Sequence, residues 1–279
     1  MALNLKKKIA AVAAFALTLG AASMAHADVV PTFTFDAKGI TGISAGAIAG
    51  FGENGVINAQ AIYSTSSELL HRSVNGNGQL VDNGYGYIKY NYFTDTSSGQ
   101  DNTYFVSGFN LYVKFIIADT VGTGPNGYNT LTQLDFEMYA DPTGNNKFTP
   151  AKTVIGAGGV TTGSEASISN TGDDILLASG SLINGLATLT PDQGAVLNAL
   201  TTFILTDAGK NVFVAPGSFF TLSNSGFNNA NGFATVNSDN TIAVSAAGNT
   251  NFAVPEPTSI ALMGLGLLAV GVTARRRKS

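Results

Sequence analysis

The chain has 279 residues, with 33 Gly, no Cys, no Trp and 11% charged residues, enough length for one large domain or two small ones around a buried core. Without Cys there can be no disulfide scaffold, thiol catalysis or Cys-ligated zinc or iron–sulfur site. Seven of the fourteen bases lie at the two ends, so residues 28–253 carry seven bases against seventeen acids, a net charge of −10; with Arg72 as its one arginine, this body is a poor nucleic-acid binder.

Residues 1–27 read as a secretory signal peptide. Lys6, Lys7 and Lys8 form a cationic start, and Ile9 to Gly20 is an apolar run too short to span a bilayer. Ala25 and Ala27 are the small residues a signal peptidase reads, so cleavage falls before Asp28 and removes His26, leaving His71 as the one histidine.

The body that follows, residues 28–244, alternates apolar and polar side chains. Ile88, Tyr90 and Tyr92 share a face, as do Phe109, Leu111, Val113 and Phe115, and again Leu134, Phe136, Met138 and Ala140. Period two with one apolar face predicts half-buried antiparallel strands. Further strands are expected near 31–36, 56–64, 174–178, 200–206, 211–214, 218–223 and 241–246. Asn-Gly pairs at 54–55, 75–76, 77–78, 83–84, 126–127, 184–185 and 231–232 predict tight turns, because both residues tolerate positive φ. Residues 142–172 read as a long exposed loop. Thr190 and Pro191 read as the start of a short helix reaching Leu200. Residues 245–253 read as a flexible stalk. Many short strands with frequent turns predict an all-β fold, an antiparallel, jelly-roll-like β-sandwich.

Residues 254–279 have three parts. Val254, Pro255, Glu256 and Pro257 precede the apolar run Thr258 to Ala274, and Arg275, Arg276, Arg277 and Lys278 follow it. Seventeen residues at ~1.5 Å each cover about 25 Å, a short single transmembrane helix. The cations hold its far end in the cytoplasm. The prolines stop the helix and keep an extended segment above it, a form a membrane protease can grip.

Catalytic signals are sparse. His71 stands alone, and no Gly-x-Ser-x-Gly, HExxH, Walker or dinucleotide motif occurs. Carboxylates available to a glycosidase include Glu53, Glu68, Glu137 and Glu165, and Asp135 and Glu137 would share one strand face. Such residues are equally the ordinary polar side of a strand. The turn from Asp141 to Asn146, with Asp141 and Asn145 as candidate ligands, and Asp173 and Asp174 from the far end of the loop offer oxygen ligands for Ca2+, though in neither the EF-hand nor the glycine-rich repeat order. Tyr85, Tyr87, Tyr90, Tyr92, Tyr104 and Tyr112 cluster, as strand formers or as platforms for sugar rings.

The tail, residues 254–278, resembles a PEP-CTERM sorting signal. That resemblance implies transient anchoring in the inner membrane, removal of the tail by an exosortase-type protease, and delivery to the cell surface or extracellular matrix alongside exopolysaccharide. Asp174 to Gly185, Phe203 to Phe213, Ala215 to Phe220, Phe109 to Phe115 and the strand from Phe136 to Asp141 resemble the flocculation-associated PEP-CTERM proteins. That second resemblance implies a non-enzymatic role in cell aggregation and hands over no site residues. A carbohydrate-binding module, with or without calcium, and a polysaccharide-degrading enzyme are the alternatives.

Overall fold

The computed structural model describes residues 32–253 except 53, 96–101, 191–193, 216–220 and 228–235. In chain order its strands are β1 (Phe33–Asp36), β2 (Val56–Ala59), β3 (Ala61–Val74), β4 (Leu80–Asp95), β5 (Asn102–Phe105), β6 (Asn110–Thr120), β7 (Asn129–Asp141), β8 (Lys147–Thr149), β9 (Lys152–Ile155), β10 (Thr161–Ser164), β11 (Ser167–Ser169), β12 (Ile175–Thr190), β13 (Gly194–Thr201), β14 (Ile204–Leu205), β15 (Phe213–Ala215), β16 (Thr221–Phe227) and β17 (Thr241–Ala253). Two short helices, Ala45–Ala49 and Asp207–Val212, are capped by Ser44 and Thr206, whose hydroxyls accept from the N–H of Ala47 and Gly209.

Eight strands close a ring. β3 pairs with β4, β4 with β6, β6 with β7, β7 with β12, β12 with β13, β13 with β16, β16 with β17, and β17 returns to β3, every pair antiparallel. The predicted antiparallel all-β body is therefore present. The jelly-roll order is not: neighbours in the ring follow chain order, as in an up-and-down barrel, without Greek-key crossings among the described strands. Opposite walls face each other across one core, as the sheets of a sandwich do, but hydrogen bonds join them at both sides. Closure satisfies the backbone groups that an open sheet would leave at its edges.

Inside the ring the alternation read from the sequence sets the core. Leu111, Val113, Phe115 and Ile117 of β6 point inward beside Leu134, Phe136, Met138 and Ala140 of β7. At one end a small sheet, in the order β15-β1-β2, packs into the same core. Its Phe33 and Phe35 meet Phe93 of β4 and Phe252 of β17 in an aromatic cluster, with ring centroids 4.6 Å apart for Phe33–Phe252 and 4.8 Å for Phe35–Phe93. Each buried ring contributes about 2–3 kcal/mol of apolar burial.

Several local expectations change. Tyr92 leaves the inner face of Ile88 and Tyr90, because a bulge between Tyr90 and Tyr92 turns it outward onto Tyr63, 4.8 Å away and nearly parallel, and sends Phe93 inward instead. Residues 194–201 are strand, not helix: Gly194 pairs with Thr190 and the alternation continues to Thr201. Residues 207–212, which overlap the strand expected at 211–214, are helical because Thr206 caps them. The loop 142–172 folds into two small sheets, β11-β8 and β10-β9. Its Phe148, Ala151, Ala166 and Ile168 cover Leu69 and Tyr87 on the outer face of the ring. Residues 245–253 are no stalk, since β17 runs to Ala253 with partners on both sides.

The Asn-Gly signal holds at Asn54-Gly55 and Asn126-Gly127, where both residues have positive φ. Asn83-Gly84 and Asn184-Gly185 lie inside long strands instead. There glycine serves close approach: a Cβ on Gly84 would sit 2.6 Å from Leu70 Cδ2, and one on Gly185 would sit 2.5 Å from Leu131 Cδ1. No helix among the described residues is long and apolar enough to cross a membrane. The expected transmembrane segment lies outside them.

Candidate functional site

Three places concentrate polar chemistry. The first is where β7 ends and β12 begins. Asp141, Asp173 and Asp174 each offer a carboxylate oxygen within 4.8 Å of the others. The sequence predicted this meeting, but Asp141 has a structural task. Its Oδ1 accepts from the Thr143 N–H at 3.0 Å, the Thr143 hydroxyl at 3.0 Å and the Gly144 N–H at 2.9 Å. Its Oδ2 accepts from the Asn146 N–H and from Asn110 Nδ2, both at 2.9 Å. Burial alone would raise the Asp141 carboxyl, but these donors outweigh it and hold it below the usual carboxylate range. Asn145 contributes its backbone carbonyl, which accepts from Asn170 Nδ2 at 3.0 Å. Asp173 Oδ2 lies 2.8 Å from the Thr143 hydroxyl and shares its one proton with Asp141, and Asp174 accepts from the Tyr112 hydroxyl and from Asn146 Nδ2. Asn146 Oδ1 is buried with no donor. Asn146 belongs to the turn that the sequence offered as an oxygen-ligand source, whereas Tyr112 was not expected in this cluster.

The second place is an open groove of about 570 Å³ on the outer wall, where β4, β6, β7, β12 and β14 present side chains. Asp135 and Glu137 both line it. Gln133 donates to Asp135 at 2.7 Å and the Tyr139 hydroxyl donates to Glu137 at 2.6 Å. Lys114 sits over the Tyr139 ring at 4.7 Å. Tyr85, Ile116 and Ile204 give the groove exposed apolar surface. The other clustered tyrosines divide: Tyr87, Tyr90 and Tyr112 are buried, Tyr104 is partly buried against the core, and Tyr92 stacks on Tyr63. His71 lies elsewhere, exposed, paired with Glu165 at 2.9 Å. Glu53 lies outside the described residues.

The third place is inside the ring, at the end away from the phenylalanines. Arg72 donates to both oxygens of Asp82, at 2.8 and 2.7 Å, and Asn129 Nδ2 donates to Asp119 at 2.9 Å. Glu68 stands two residues before Leu70 on the inward side of β3 and lines a cavity of about 40 Å³ with Ser64, Ser66, Asp119, Asn129 and Val244. Burial, then the nearby Asp119 charge, pushes the Glu68 carboxyl up to about 7, and burial, then Asp82, pushes Asp119 up to about 6. A carboxyl raised on folding binds more protons in the folded state, so its contribution to stability is present at low pH and falls as pH rises from about 4.5 to about 7. Glu68→Gln removes that loss. Its melting temperature at pH 8 should exceed that of the parent by a margin worth at most about 3 kcal/mol, and the gap should close by pH 5. Melting curves at the two pH values check this, and equal gaps would refute it.

The sorting residues lie outside the described part: Val254, Pro255, Glu256, Pro257, Arg275, Arg276, Arg277 and Lys278, and the peptidase-site residues Ala25 and Ala27. The family model described as the PEP-CTERM protein-sorting motif matches residues 253–278. The chain carries a PEP-CTERM sorting signal. No curated protein and no solved structure matches it. The sorting signal marks a protein that crosses the inner membrane, is processed by an exosortase-type membrane protease and takes an extracellular or surface position. The match begins at Ala253, the last residue of β17, so the signal follows the barrel with no intervening segment.

Proposed function

We propose that the protein acts outside the cell as a non-enzymatic component of the surface or matrix, associating with exopolysaccharide and promoting cell aggregation. The PEP-CTERM signal carries this reading, because it commits the barrel to the space where such polymers lie. The likeness of Phe109 to Phe115 and of residues 174–185 and 203–213 to flocculation-associated proteins supports the aggregation role. The outer groove is the contact surface. Tyr85 and Ile116 supply apolar area for a sugar ring, while Lys114, Glu137 and Ser179 supply hydrogen-bond partners for hydroxyls. Asp135 and Glu137 sit on an open face, each already held by a neighbour, which supports binding over hydrolysis. Tyr85→Ala should weaken binding to exopolysaccharide from the producing strain about two- to tenfold without changing the melting temperature. Deleting the gene should reduce floc formation. Unchanged flocs together with unchanged binding by the variant would refute the proposal.

A second reading is a calcium-bridged carbohydrate-binding module. The buried Asn146 Oδ1 favours it, as an acceptor lacking any donor on a side chain whose amide nitrogen contacts Asp174. Turning the Asn146 amide would present that oxygen to a cation at Asp174 and give up its bonds to Asp174 and to the Asn170 carbonyl. Glycan binding abolished by EDTA and restored by Ca2+ would favour this reading over cation-independent contact.

A further inference from the structure

We propose that the cavity inside the barrel is a binding site for a small alkylammonium ion. An eight-stranded barrel has an interior wide enough either to fill with side chains or to hold one small ligand. Here the two outcomes coexist. Aromatic rings fill one end, and space remains around Glu68.

Charge balance sets the sign of the ligand. The inward charged groups at this end are Arg72, Asp82, Asp119 and Glu68, and the guanidinium is already committed to both oxygens of Asp82. Asp119 has one amide donor, from Asn129, and Glu68 has no hydrogen-bond partner among the described residues. The neighbouring inward residues of β4 and β17, Gly86, Val244 and Ala246, bring no charge. Beyond the Arg72–Asp82 pair, two carboxyls therefore face a partly enclosed space against no further base, which calls for a cation or protons to balance them.

The walls set the ligand's chemistry. Leu70, Ile88, Phe115, Val196, Leu197 and Val244 are apolar, while Ser64 and Ser66 place hydroxyls beside the carboxyl. Among the described residues, the three-carboxylate arrangement that suits a metal occurs at Asp141, Asp173 and Asp174, not here. An ammonium group with a short alkyl chain satisfies both kinds of wall: its N–H groups donate to Glu68 and the serines, and its carbons lie against the aliphatic side. Size limits the chain. One water fills ~10–15 Å³ of such space, so about 40 Å³ admits roughly three or four heavy atoms. n-Propylammonium is at that limit.

The test is a thermal melt at pH 8 of the protein released by cells, titrated with n-propylammonium chloride against equal ionic strength of NaCl. A saturable rise of about 3–8 °C is expected. It should vanish in Glu68→Gln and in Ala246→Leu, which fills the cavity and keeps the carboxylate. It should shrink at pH 5, where Glu68 and Asp119 hold protons, and n-propanol should produce no shift. No shift with the parent protein overturns the proposal, as does a shift that persists in both variants. A larger response to CaCl2 that is lost in Glu68→Gln overturns it in favour of a metal.

Discussion

Alanine at Pro255, Glu256 and Pro257 together will keep the protein in the membrane fraction, with Arg275 to Lys278 still attached. The motif occupies the four residues between Ala253 and the apolar run that starts at Thr258. Proline disfavours helix and biases the residue before it toward extended backbone. Three alanines reverse that preference, because alanine has the highest helix propensity and would let the apolar helix grow toward the barrel. A protease that needs an extended strand then loses its substrate, and the short span flanked by four bases is left as an ordinary anchor. Released protein should fall by an order of magnitude or more, measured by immunoblot of the medium against membranes. Unaltered release would show that the motif is not what the processing enzyme reads.

Phe252→Ala will destabilise the barrel by about 3–5 kcal/mol, the range for removing a large buried aromatic side chain. Phe252 is 1% exposed and its ring lies 4.6 Å from Phe33, 4.9 Å from Phe203 and 5.6 Å from Phe213. It belongs to β17, the strand that joins β16 to β3 and so completes the ring. Its loss opens a cavity at the junction of the ring and the small sheet of β1, β2 and β15. At roughly 2–4 °C per kcal/mol for a domain of this size, the melting temperature should drop by about 6–20 °C. A Gly-Ser insertion after Ala253 should leave it unchanged. If Phe252→Ala were silent, β17 would not end inside the core, and residues 245–253 would be the stalk their composition resembles.

The strands that were legible are those whose inward side chains are apolar and whose outward ones carry polar groups. Leu134 to Ala140 alternates because one side meets the core and the other carries Asp135 and Glu137 on the outer groove, and Phe109 to Phe115 alternates with Lys114 outward, although its outward Tyr112 is itself covered by Phe148. β17 hid behind its composition. Its inward residues are Ala246 and Gly248 beside the cavity, with Thr250 and Phe252 deeper, so small residues that look like a linker are small because the inner space is shared with Glu68. β3 misleads in the opposite sense. Its inward Ser64, Ser66 and Glu68 look like a solvent face, while outward Ser67 and Leu69 are buried under the excursion between β7 and β12. Ser67 accepts from the Ala151 N–H at 2.9 Å, a contact 84 positions away that no local pattern encodes. Closure of the ring rests on similar long-range pairings, and the inward position of Glu68 follows only from closure. The acidic turn was legible because Asp141 and Asp173 flank the excursion, whereas the saturation of Asp141 by five donors depends on backbone geometry. The tail was legible throughout, since its order of prolines, apolar run and bases is a linear property.

The mass of the C-terminal peptide from protein recovered outside the cell tests the export role most directly. Removal of the tail gives a peptide ending near Pro255 to Pro257, with no trace of Arg275, Arg276, Arg277 or Lys278. Extracellular protein that still carries the intact arginine-rich end would contradict processing by an exosortase-type protease and, with it, the placement of this barrel in the matrix.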